Sequence, residues 1–181
     1  FEGYNNNEVI KMNLYITTGT YEFLIKILNK YKDEQMLLMQ NAQNSLIIHE
    51  TMKKSVFGSP RTYEVINGKG NFPEEGYSVF YNIPISDEGK PVFEYHLQNN
   101  SQLIQTASGI RAFRFLKPKK GDTYIILTIW EDEKDFSRWK LTDSYKTIIN
   151  TPTVSAPLSS NTIFNGSPYE SYYTIPNEEK K

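Results

Sequence analysis

The sequence predicts an α+β fold made of two related halves. Three observations predict it. Short segments rich in Tyr, Ile, Val and Thr recur along the chain, several alternating apolar with polar residues, and read as strands. Between some of them lie stretches with apolar residues three and four apart, which read as helices. The order of elements in the second half is β-α-β-β-α-β, and the first half approaches it with β-α-β-β and a partial element. The likeness lies in element order, without a strong residue-level repeat.

Each element has a local reason. Residues 13–18 (NLYITT) alternate and carry β-branched side chains, so they form a strand. Gly19-Thr20 interrupts, and Thr20 is a helix cap for Tyr21, Phe23, Leu24, Ile27, Leu28 and Tyr31. Two short apolar strands follow near 36–40 and 46–50, joined by a turn-like 41–44. Ser59-Pro60 breaks the chain, 61–67 (RTYEVIN) is an element of open type, and Gly68, Gly70 and Pro73 mark a boundary. Residues 77–85 (YSVFYNIPI) form a strand whose end Pro84 confines to an edge or bulge. A helix opens at 86–89 and runs to about Gln105, with Pro91 in its first turn. Strands at 110–116 and 123–130 flank a hairpin loop at 117–122. Residues 131–150 read as one helix with an acidic start that suits the helix dipole. Pro152, Pro157 and Gly166 lie in a Ser/Asn/Thr-rich connection, and 169–175 (YESYYTI) alternate as a last strand.

The second half is thus ferredoxin-like in order, two helices on one face of an antiparallel sheet. The chain divides into a disordered or tag-like 1–11, an N-terminal α+β half at 12–75, a ferredoxin-like domain at 76–176 and a polar tail at 177–181.

Composition narrows the function. The 181 residues carry a net charge of −1 and no cysteine. Disulfides, thiolate metal sites, iron–sulfur clusters and Cys nucleophiles are excluded. No long Lys/Arg block points to nucleic acid, and no apolar run reaches the roughly 18 residues of a membrane span. The N-terminus lacks the apolar region of a secretory signal. A cytoplasmic protein is expected, with neither nucleic acid nor membrane as partner. Aromatic residues make up 14%, enough for an aromatic core and suited to a pocket for a flat ligand.

The common chemistries find little support. His49 and His96 are the two histidines, and no GxSxG elbow accompanies them. His49 and Glu50 are neighbours on a strand and point to opposite faces, so they cannot easily share a metal. Gly68-Lys-Gly70 is too short for a nucleotide fingerprint. Lys117-Pro-Lys-Lys120 reads as a solvated hairpin tip or an anion site. Phe136 and Trp139, three residues apart, share a helix face that packs on the sheet. Asn82 is a polar residue in an apolar strand. It either faces inward, needing hydrogen-bond partners or a ligand, or sits at an outward or edge position. His96 reads as a partly exposed helix histidine near Val92 and Asn99.

Several runs carry a family resemblance. Residues 124–146 (YIILTIWEDEKDFSRWKLTDSYK) resemble the third strand and second helix of heme-degrading monooxygenases of the IsdG type. Residues 14–24, 36–51, 63–70 and 81–94 resemble the longer, two-part HmoB-like branch, so the likeness covers most of 12–175. These belong to the antibiotic biosynthesis monooxygenase (ABM) superfamily of dimeric α+β barrels, which also includes TRAP-type signalling proteins. The resemblance implies a pseudo-dimeric barrel within one chain, a monomer or weak dimer. It implies heme as both substrate and cofactor, dioxygen, an external electron donor delivered by an unknown reductase, and a place in iron acquisition through iron release. Asn82, seven residues before Gly89, matches the family's Asn and would donate a hydrogen bond beside the heme iron. Trp139 matches the Trp that presses on the porphyrin. The family's heme-ligating His falls ten residues after Trp139, where this chain has Ile149. An alkyl group cannot ligate iron. Three options follow: His96 or a Tyr binds the iron, heme binds with water as ligand, or heme cleavage is lost. The reading is therefore a heme-degrading monooxygenase, with a non-catalytic heme-binding or regulatory, TRAP-like protein as the alternative. A cofactor-free oxygenase of a small aromatic substrate stands third.

Overall fold

Alternation of side chains explains the strands, and burial on both faces explains why several of them read as unbroken apolar runs. The structure is a computed structural model, and it describes residues 2–5, 8–150 and 163–177. A hairpin of β1 (Glu2–Asn5) and β2 (Glu8–Lys11) precedes the barrel. The first half contains β3 (Asn13–Gly19), α1 (Tyr21–Lys30), β4 (Met36–Gln40), β5 (Ser45–Thr51) and β6 (Arg61–Lys69). The second contains β7 (Gly76–Pro84), α2 (Lys90–Gln105), β8 (Ile110–Pro118), β9 (Thr123–Trp130), α3 (Glu133–Lys140), α4 (Asp143–Asn150) and β10 (Tyr169–Ile175).

Eight strands close into a barrel in the order β10-β4-β5-β3-β6-β8-β9-β7. Each half therefore contributes four adjacent strands with the same internal order, second-third-first-fourth, which is the ferredoxin-like arrangement. The two seams are equivalent too. Each joins the fourth strand of one half to the second strand of the other, β6 to β8 and β10 to β4. The expected pseudo-dimeric α+β barrel is present in one chain.

The seams differ in strength. β6 pairs with β8 from Tyr63↔Pro118 to Lys69↔Phe113, with a bulge between Val65 and Asn67. β10 meets β4 at the single pair Thr174↔Gln40. The reason is local. Backbone groups along a strand alternate between neighbours, and the bonds of Asn41 N–H to Asn44 O and of Glu50 N–H to Gln35 O turn the odd-numbered residues of β4 toward β5. Met36, Leu38 and Gln40 then face the seam. The residue that would sit opposite Leu38 is Pro176, which has no N–H to donate.

Three apolar clusters fill the molecule. The first takes alternate residues from all eight barrel strands, among them Leu14, Met39, Ile48, Val65, Phe80 and Ile125, and fills the lumen. The second lies between the sheet of the second half and α2, α3 and α4, and includes Val79, Ile83, Phe93, Trp130, Phe136 and Trp139. The third lies under α1 and includes Tyr15, Leu24, Ile47 and Phe57. Among the described residues, no helix is long and apolar enough to cross a membrane.

Four expectations change. The N-terminus, read as without regular structure from its polar composition, pairs residues 2–5 with 8–11, where Tyr4, Val9 and Ile10 favour strands. The open element at 61–67 is strand β6. The single helix at 131–150 is two helices, because Thr142 closes one and opens the next. Its hydroxyl donates to Trp139 O at 2.6 Å and accepts from Tyr145 N–H at 3.3 Å, the geometry of an N-cap. The acidic start of α3 is a cap as well as a charge effect, since Asp132 accepts from Lys134 N–H at 2.8 Å and from Asp135 N–H at 3.2 Å. The stretch with Pro152 and Pro157, and residues 178–181 of the tail, lie outside the described residues.

Candidate functional site

α3 carries Phe136 and Trp139 on its buried face, as their spacing required. Trp139 is 6% exposed. Its ring lies 5.3 Å from that of Trp130 and meets Tyr145 edge-on at 5.3 Å. Its Nε1–H is buried with no hydrogen-bond partner among the described residues. Such an orphaned donor in a native interior calls for an explanation, a ligand or a movement. Ile148 and Ile149 of α4 are both buried in the same cluster.

Asn82 is also buried, but on the other side of the sheet. It pairs with Ile125, a lumen residue, and shares its face of β7 with Phe80. Its Nδ2 donates to Phe80 O at 3.1 Å, Tyr169 O at 3.2 Å and Ser171 Oγ at 3.3 Å. Val79, Tyr81 and Ile83 face the helices instead. The structure therefore does not bring Asn82 and Trp139 together, because the strand that carries Asn82 stands between them. The neighbour of Asn82, Tyr81, with Val79 and Ile83, lies on the side of Trp139.

His96 is buried rather than partly exposed. Its Nε2–H donates to Ile148 O at 3.1 Å, and its Nδ1 accepts from Asn100 Nδ2 at 3.1 Å. Both nitrogens are engaged, so the ring ties α2 to α4 and offers no lone pair to iron. This corrects its candidacy as an axial ligand. His49 lies in the other half, between the rings of Tyr15 and Phe57. It is held by Glu34 Oε2 at 2.9 Å. Among the described residues, no three His, Cys, Asp or Glu side chains gather as a metal site.

A polar cluster that the sequence reading missed lies beside Trp139. Glu170 of β10 accepts from Tyr145 OH at 2.6 Å, from Lys140 Nζ at 2.8 Å and from the Tyr172 hydroxyl. Burial raises the Glu170 carboxyl, but the three donors prevail and hold it below the usual carboxylate range. The phenols respond in the opposite sense. Burial, with the Glu170 carboxylate as acceptor, raises Tyr145 strongly and Tyr172 to about 12. Burial, then the Glu133 charge, raises Tyr77 to about 12, and burial raises Tyr81. The alternation of 169–175 puts Glu170 and Tyr172 on one face, a signal that could have found half of the cluster; the approach of α3 and α4 is long-range and left no such mark.

These groups test whether heme fits. The protein ligands that fill an axial position are an imidazole, a thiolate, a thioether or a phenolate. Position 149 is an isoleucine, His96 is fully engaged, cysteine is absent, all four methionines lie in the first half, and the Tyr145 and Tyr172 hydroxyls donate to Glu170. Among the described residues, no imidazole, thiolate or thioether there is free to ligate heme iron.

Residues 77–151 match the model of the antibiotic biosynthesis monooxygenase family. The chain is 26% identical to the heme-degrading monooxygenase of Listeria monocytogenes, over 90% of this chain and 94% of that protein. It is 30% identical to the signal transduction protein TRAP of Staphylococcus aureus, over 74% of this chain and 80% of that protein. Among solved structures, a major regulator of staphylococcal pathogenesis superposes with a TM-score of 0.79 at 26% identity, covering 91% of this chain and 99% of that one. The heme-degrading enzyme of Listeria monocytogenes superposes with a TM-score of 0.71 at 26% identity, with the same coverage.

Proposed function

Since the chain belongs to the antibiotic biosynthesis monooxygenase family, we propose that it is a regulatory, TRAP-like member that works by binding rather than by oxidation. The observation that carries this reading is the separation of Asn82 from Trp139 by the sheet of β7. A hydrogen-bond donor in the lumen cannot act on a porphyrin lying against Trp139, and the alkyl side chain of Ile149 gives iron no ligand. Asn82 instead donates to the carbonyls of Phe80 and Tyr169 and to the Ser171 hydroxyl, a structural role. The protein works as a monomer, because the sheet face that such halves would use to pair is already covered within the chain. Its lack of cysteine suits a reducing cytoplasm.

A second reading, oxidative cleavage of heme with iron release, is favoured by the orphaned Nε1–H of Trp139 and by likeness to the Listeria enzyme over nearly its full length. Heme would then be the substrate, taken with a solvent ligand, with dioxygen and an external electron donor. Trp139 and Tyr81 would be the groups of this chain that touch it.

One experiment separates the two. Hemin is titrated into the protein, and ascorbate is then added in air with catalase present. The regulatory reading expects either no saturable Soret shift or a stable complex. Bleaching with iron release, lost in Trp139→Ala, overturns it in favour of heme cleavage.

A further inference from the structure

A cleft of about 450 Å³ opens at the end of the barrel where β3 and β6 begin and β8 turns into β9. Asn13 and Tyr15 of β3, Pro60, Arg61, Thr62 and Tyr63 at the start of β6, and Lys119 and Lys120 of the β8–β9 loop line it. The volume is within the range of small-molecule sites.

Its charge is one-sided. Arg61, Lys119 and Lys120 are exposed cations, and no acidic side chain lines the cleft. Among the described residues, none of the three has a carboxylate partner. The contrast within one loop is informative, because Lys117 turns away and pairs with Glu94 at 2.8 Å. The loop is also held in place: Lys119 N–H donates to Thr62 O at 2.9 Å. The basic run Lys117-Pro-Lys-Lys120 is thus split into one neutralised lysine and two that converge with Arg61.

The cleft has a second, independent feature. The side chain of Asn13 donates through Nδ2 to Tyr15 OH at 3.4 Å, while its Oδ1 is shielded from solvent and receives no hydrogen bond among the described residues. Tyr15 cannot supply the missing proton, because its hydroxyl donates to Lys53 O at 3.1 Å. A shielded amide oxygen without a donor is costly unless a ligand completes it. Cations ask for an anion, and rotation of the Asn13 amide toward the cleft would give its Oδ1 a donor on the same molecule.

We propose that this cleft binds a small phosphorylated ligand bearing hydroxyl groups, with Arg61, Lys119 and Lys120 on the phosphate and Asn13 on a hydroxyl. The site is separate from the face of Trp139, and it stands whichever function that face has.

Ribose 5-phosphate, inorganic phosphate and ribose are the probes, each titrated by calorimetry into the full chain. Ribose 5-phosphate is expected to bind saturably and more tightly than either fragment. Lys119→Glu combined with Lys120→Glu, at exposed positions, should weaken it by at least about tenfold, as should Arg61→Gln. Lys117→Gln should leave it unchanged. Asn13→Leu should remove the advantage over inorganic phosphate without altering phosphate binding itself. The proposal fails if ribose 5-phosphate does not saturate, or if its binding survives the double charge reversal in a variant with unaltered thermal unfolding. Preference for a single-stranded oligonucleotide over ribose 5-phosphate would also overturn it.

Discussion

Arg114 and Glu50, 64 residues apart in sequence, meet inside the barrel as a bidentate ion pair. Nε lies 2.6 Å from Oε2 and Nη2 lies 3.1 Å from Oε1. The same guanidinium donates to the carbonyls of Lys69, Gly70 and Phe113, at 3.0, 2.9 and 2.8 Å. Its Cζ lies 5.0 Å from the centre of the Phe72 ring. The pair joins β5 of the first half to β8 of the second. Room for it depends on Gly68, where a Cβ would come within 2.5 Å of Arg114 Cδ. Buried charges of this kind are held by mutual satisfaction, and removing one partner strands the other.

Arg114→Met should therefore destabilise the protein by about 3–5 kcal/mol, and Glu50→Leu by a similar amount. The double variant should recover most of the loss, since neither charge is left alone in the lumen. Urea unfolding of the four proteins checks this. If the double variant is as unstable as the sum of the singles, the pair is not the unit described here.

The missing iron ligand can be restored. Ile149→His places an imidazole on α4, ten residues after Trp139. Burying it among Ile148, Trp139 and Tyr145 costs about 1–3 kcal/mol of stability. The variant should bind hemin more tightly than the parent, with a Soret band shifted toward that of an imidazole complex. An unchanged spectrum would mean that α4 does not present position 149 to a porphyrin.

The β10–β4 seam gives a prediction for hydrogen exchange. Leu38 has a buried side chain, so burial alone would protect its amide. The register instead points that amide at the seam, beyond the last pair, Thr174↔Gln40, where the ladder does not continue. Its exchange should be roughly tenfold faster than that of Leu37 or Met39, whose amides bond to β5. Equal protection of the three would show that the seam is zipped beyond Thr174.

Periodicity made much of this fold legible. The strands at 13–18, 77–85, 110–116 and 123–130 could be read because alternation and turn residues are local. So could the face shared by Phe136 and Trp139. The face of Asn82 could not be read. Both faces of β7 are apolar, one toward the lumen and one toward the helices, and alternation distinguishes two faces without saying which is which. Spacing to Gly89 matched Asn82 to a family position, yet only the pairing with Ile125 reveals that it looks inward. His96 misled for a related reason. Helical spacing set it beside the exposed Val92, whereas its burial depends on α4, whose approach is a long-range fact. The break at Thr142 was legible in principle, since Thr-Asp before a helical run is a cap signature.

The Glu170 cluster sets the response to pH. Its carboxyl is held below the usual value of 4.5 by Lys140, Tyr145 and Tyr172, against burial, which pushes the other way. A depressed carboxylate contributes stability that is fully present above the unfolded value and is lost as pH falls through the folded one. The phenols act at the other end. Tyr172 and Tyr77, raised from 10 to about 12, contribute stability that is present below pH 10 and is lost as pH rises toward 12. Glu170→Gln should therefore destabilise the protein at neutral pH by about 1–2 kcal/mol, a modest figure because the carboxylate is only half-buried. The difference from the parent should shrink as the solution is made acidic, since protonation removes the same charge from the parent. The variant should also ionise Tyr172 and Tyr145 at lower pH than the parent, because their anionic neighbour is gone. Urea midpoints across the acid range and tyrosinate absorbance across the alkaline range measure the two effects. A parent and variant that stay equally far apart down to strong acid would place the acid-sensitive group elsewhere than β10.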